Sequence, residues 1–103
     1  MELYNICKEV AEIEDGLFRG TIDFAYDNMM CAMKVAHPAD ILDEILSEIG
    51  FDVFAKRPVE LQRVKDWISD LEAFKKEFKV KELNKPIKAA KEYIKIQEGN
   101  ENV

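Results

Sequence analysis

PVELQRVKDWISDLEAFKKEFKV, residues 58–80, carries Leu61, Val64, Trp67, Ile68, Leu71, Phe74 and Phe78 at intervals of three and four. That interval is the repeat of one side of an α-helix, sustained here over about five turns, and charged residues occupy most of the positions between. Pro58 suits the first turn, where a missing N–H costs nothing. A helix with one apolar stripe is stable only when neighbours cover the stripe, so this segment predicts a bundle around itself.

The flanking sequence supplies the neighbours. Upstream, Pro38 precedes Ile41, Leu42, Ile45, Leu46 and Ile49, which predicts a helix over 38–49 closed by Gly50, with FDVFAKR as connector. Before it, Thr21 reads as an N-cap, and Ile22, Ala25, Tyr26, Met29, Met33 and Ala36 share a face until His37-Pro38. Leu3, Ile6, Cys7, Val10 and Ile13 predict a first helix ending at Asp15-Gly16. Downstream, Asn84 and Pro86 restart the chain, and Leu83, Ile87, Ala90 and Ile94 make a last short stripe, widened by Tyr93 and Ile96. The expected fold is all-α: an antiparallel bundle of about five amphipathic helices, approximately 2–15, 21–36, 38–49, 58–80 and 85–97. They form one domain, 1–97, followed by a disordered tail, 98–103, with nothing to bury.

A chain of 103 residues buries enough surface for one core and not two. With 48% apolar and 35% charged residues it has the composition of a globular domain, and no stretch reaches the roughly 20 apolar residues of a membrane span. The N-terminus MELYNICKEV lacks the basic start and apolar run of a secretory leader, and there are two cysteines, Cys7 and Cys31, which together predict a cytoplasmic address.

The stretch DNMMCAMKVAH, residues 27–37, concentrates three methionines, a cysteine and the single histidine. Met29, Met33 and His37 are four residues apart on one helical line, a spacing that serves a soft-metal site and a core stripe equally well. A closed zinc site needs about four nitrogen or sulfur ligands, and here there is no C-x-x-C and no second histidine. The expectation is core packing, with no metal and no cofactor. Catalysis lacks its parts too: one histidine set before a proline, with Ser47, Ser69 and Thr21 as the hydroxyls and no motif framing them, predicts a non-enzymatic protein.

Charge divides the chain. Residues 1–54 hold three basic and twelve acidic side chains, net −9, and residues 55–103 hold twelve basic and nine acidic, net +3. Asp40, Asp43, Glu44 and Glu48 fall opposite the Ile/Leu stripe of the 38–49 helix, Asp52 follows, and no lysine or arginine interrupts positions 35–55. An uncompensated acidic face steers basic partners. The favoured expectation is therefore a protein-binding module that presents these five residues to another protein with a basic surface, one that handles nucleic acid. Its concrete form is a small inhibitor or adaptor of a kind that phages and mobile elements encode.

Two rival readings come from other classes. The first is weak nucleic-acid binding through the lysine-rich 75–95 stretch, with Lys75, Lys76, Lys79, Lys85 and Lys88 as contacts. It lacks the arginine forks and interleaved aromatics of base readers. The second is a structural homo-oligomer joined by exposed parts of the apolar stripes. No reading involves a membrane.

Overall fold

In the computed structural model of the chain, residues 2–25 and 37–101 are described, and their regular structure is entirely helical. Helix α1, Glu2–Arg19, buries Leu3, Ile6, Cys7, Val10, Ile13 and Leu17 along one stripe. It runs through Gly16 and stops a turn later than the sequence predicts, at Gly20, whose φ of +80° is the left-handed conformation glycine adopts without strain. The Thr21 N–H then donates to the Gly16 carbonyl at 2.9 Å, the six-to-one bond of a Schellman cap. Gly16 has a different task. A Cβ there would lie 2.6 Å from Ile22 Cδ1, so its bareness lets the chain fold back across the helix end.

The expected helix over 21–36 does not begin at Thr21, because residues 21–25 are non-helical. The Ala25 N–H donates 2.8 Å to the Phe78 carbonyl, tying this segment to the far end of the long helix. The rest of that prediction lies outside the described residues.

Helix α2, Pro38–Phe54, is capped by His37, whose Nδ1 accepts the Ala39 N–H at 3.0 Å, with Pro38 in the first turn. It too continues past its expected stop. Gly50 faces open space, and a helical glycine costs about 0.5–1 kcal/mol, yet the next turn carries Asp52 into the core and Val53 against it. Helix α3, Leu61–Phe78, starts three residues beyond Pro58, with Glu60 as N-cap, and ends at Lys79 with φ +58°. A 3₁₀ turn, Lys81–Leu83, leads into helix α4, Asn84–Glu101, which extends through most of the predicted tail.

The helices form a ring in chain order. Helix α1 lies alongside α2 and α4, α3 lies alongside α2 and α4, and among the described residues the backbones of the diagonal pairs stay apart, leaving the space between them to side chains. Directions follow from cross-contacts. Tyr4 meets Phe54, Asp52 meets Trp67, Lys65 pairs with Glu98, and Glu9 pairs with Lys85, so each helix runs antiparallel to both its neighbours. Trp67, Leu71, Phe74 and Phe78 of α3 fill the middle, against Ile6, Val10 and Leu17 of α1, Leu42 and Ile49 of α2, and Leu83, Ile87 and Ala90 around the start of α4. The fold is the expected all-α antiparallel bundle, with four helices rather than about five among the described residues.

The cap at residue 37 sets where α2 starts. His37→Ala is expected to lower stability by about 1 kcal/mol, and His37→Asn, which restores an acceptor, to recover most of it. Urea unfolding midpoints check this, and equal midpoints for the alanine variant and the wild type would contradict it.

Candidate functional site: an acidic helix face with an aromatic end

With Leu42, Ile49 and Asp52 of α2 buried, the helical repeat places Asp40, Asp43, Glu44, Ser47, Glu48, Phe51 and Phe54 within an outward arc of about 140°. All seven are exposed. The structure thus brings together four of the five acidic residues that the sequence singles out. The fifth, Asp52, is a correction: it is 6% exposed, and its Oδ2 accepts Arg63 Nε at 2.9 Å and Trp67 Nε1 at 2.8 Å. Because the helix does not stop at Gly50, its phase turns residue 52 inward, where the carboxylate satisfies an indole N–H that would otherwise be buried without an acceptor.

Among the described residues no lysine or arginine forms an ion pair with Asp40, Asp43, Glu44 or Glu48. The negative field spreads onto α1. Burial first, then the charges of Asp43, Asp15 and Asp40, raise the Glu14 carboxyl above its ordinary range. Arg19 neutralises part of this ridge through Asp15, 3.0 Å away, but both partners are well exposed and the pair is weak.

At its C-terminal end the face becomes aromatic. Phe51 and Phe54 are 68% and 67% exposed, and Tyr4 of α1, 47% exposed, stands edge-on to Phe54 with ring centroids 5.9 Å apart. Sequence reasoning assigned both phenylalanines to a connector and missed them. The available signal was Val53, four residues beyond Ile49, which continues the buried stripe through Gly50. Beside the acidic face, α2 and α3 leave an open groove of about 330 Å³, walled by Ile41, Glu44, Ile45 and Glu48 on α2.

The lysines of the rival reading gather where α3 turns into α4, but several are engaged. Lys75 Nζ donates 2.8 Å to Asn84 Oδ1, Lys85 pairs with Glu9 at 3.3 Å, and Lys91 pairs with Glu72 at 3.1 Å. Lys76 and Lys88 are exposed, and Lys79 supplies the left-handed residue that ends α3. Arg63, at the start of α3, turns onto Asp52 rather than outward.

The sulfur and imidazole reading divides. Cys7 is a buried free thiol whose pKa burial pushes up, as a core residue requires. His37 is exposed and caps α2, so the expected inward imidazole is not found. Met29, Cys31 and Met33 lie outside the described residues. Among the described residues no group of three or more histidine, cysteine, aspartate or glutamate side chains is arranged to hold a metal ion, and no helix is long and apolar enough to cross a membrane. The sequence matches no protein-family model, and no curated protein or solved structure shows a significant similarity to it.

Two outcomes follow from this geometry. Asp52→Ala leaves the buried Trp67 N–H without its acceptor and is expected to cost about 2 kcal/mol, with a shift in tryptophan emission. A wild-type urea midpoint would contradict it. The raised Glu14 carboxyl means that the native chain binds this proton more tightly than the unfolded chain does. Stability from this group is therefore present at low pH and lost as pH rises through the carboxylate range. Glu14→Gln should melt above wild type at neutral pH, with the advantage fading below pH about 4; a pH-independent difference would be inconsistent with that origin.

Proposed function

We propose that this chain is a non-enzymatic protein-binding module whose contact surface is the outward face of α2. It presents Asp40, Asp43, Glu44 and Glu48 to a basic surface of a partner protein that handles nucleic acid, and so serves as a small inhibitor or adaptor. The observation that carries this reading is the run of four exposed carboxylates with which no lysine or arginine among the described residues forms an ion pair. Such a run adds self-repulsion and contributes nothing to the core, whereas a complementary surface both attracts it and is oriented by it. A protein that grips phosphates is basic for the same electrostatic reason that nucleic acid is bound at all.

Charge alone gives steering and orientation rather than residence time, and the aromatic end supplies what charge lacks. Phe51, Phe54 and Tyr4 form an exposed cluster of the side-chain type that anchors interfaces, adjoining a polar field that a partner's lysines and arginines complement. The chain's one histidine is spent as a helix cap, in keeping with a role that asks for no acid–base chemistry.

The test compares proteins captured from host lysate by the wild type and by an Asp40→Lys, Asp43→Lys, Glu44→Lys chain, identified by mass spectrometry. Basic proteins held by the wild type are expected to be lost from the reversed chain, with an unchanged helical circular dichroism spectrum. Retention of the same proteins by both chains would refute the assignment of this face.

A further inference from the structure

We infer that the groove between α2 and α3 is the seat of a basic amphipathic helix, an apolar ridge flanked on both sides by lysine or arginine. This rests on the acidic-face reading and specifies what part of a partner enters.

Each wall carries two apolar and two acidic residues. On α2, Ile41 and Ile45 are half-buried and line the floor, with Glu44 and Glu48 rising at the rim. On α3, buried Phe74 forms the floor, and Asp70, Glu77 and the exposed Ala73 line the open side. The spacing along each wall is three, one and three residues, so the groove follows both helices for about two turns, or about 10 Å. That length receives two successive anchor positions of an incoming helix at i and i+3 or i+4. The cavity of about 330 Å³ is open along its top, which suits a side-chain row rather than an enclosed small molecule.

The rims select the charge. Glu44, Glu48 and Asp70 make no ion pair within the described residues. Lysine and arginine stems lie along apolar surface while their charged ends reach outward, so a helix with a basic residue on each side of its apolar row meets carboxylates on both walls. An acidic amphipathic helix meets like charge on both walls, and so does a nucleic-acid backbone.

The probe is a fluorescently labelled synthetic helix of leucine and lysine at amphipathic spacing, with binding read by anisotropy at low and moderate salt. The wild type should bind it, and a peptide with serine in place of leucine at the same charge should not. Ala73 is exposed, so Ala73→Trp fills the groove without changing charge or opening the core, and should weaken binding about tenfold. Ala73→Met serves the same purpose with a smaller intrusion if the tryptophan variant does not fold. Glu44→Gln with Glu48→Gln should weaken binding and flatten its salt dependence.

Equal affinity for wild type and both Ala73 variants, or equal binding of the serine peptide, would overturn the groove. If host capture still failed for the Asp40, Asp43 and Glu44 reversal, the acidic-face function would stand without it. If capture survived that reversal, the function itself would fall.

Discussion

Everything distinctive about the surface of this bundle depends on one buried carboxylate. Asp52 accepts from the Trp67 indole and the Arg63 guanidinium in the angle between α2 and α3. A helix has one rotational phase, so a residue held inward fixes where its neighbours point. Holding position 52 against α3 turns positions 51 and 54 to the solvent, in line with the carboxylates of the preceding turns. The same contact carries the helix past Gly50, where propensity alone favours a stop. An isolated buried charge is costly, but here an indole N–H and a partly exposed guanidinium share it, and removing the carboxylate leaves the buried indole N–H without an acceptor.

The helical class and the antiparallel arrangement were legible in the spacing of apolar residues. Val64, Trp67, Leu71, Phe74 and Phe78 are buried as their intervals require, as are Leu3, Ile6, Val10 and Ile13. The boundaries were less legible, and the errors share a physical cause. Gly16 and Gly50 both look like stops, because glycine is the common residue just past a helix end. At Gly16 the missing side chain instead admits Ile22, and at Gly50 the next turn has core contacts that outweigh the backbone entropy. The true stop, Gly20, is distinguished by its positive φ, which composition does not reveal. Pro58 likewise suggested a helix start that lies at Leu61, since proline tolerates the extended connector as well as a first turn.

The candidate site was legible in part for a related reason. Asp40, Asp43, Glu44 and Glu48 could be grouped because they precede the misread glycine, and the helical repeat placed them correctly. Asp52, Phe51 and Phe54 follow it, and truncating the helix there inverted their roles. The carboxylate became a surface charge on paper and the two aromatic rings became linker, whereas the carboxylate is interior and the rings are exposed. His37 was misplaced by extrapolating a stripe into the residue that in fact caps the next helix. These are failures of phase and boundary.

The continuity of α2 through Gly50 is therefore the claim on which the acidic and aromatic surface stands. Amide hydrogen exchange resolved by NMR along residues 46–54 measures it directly. Helical hydrogen bonds to the end of α2 require protection of the Phe51, Asp52 and Val53 amides comparable to that of Leu46. Protection that ends at Gly50, with fast exchange at 51–53, would release Asp52 from the core and dissolve the face described here.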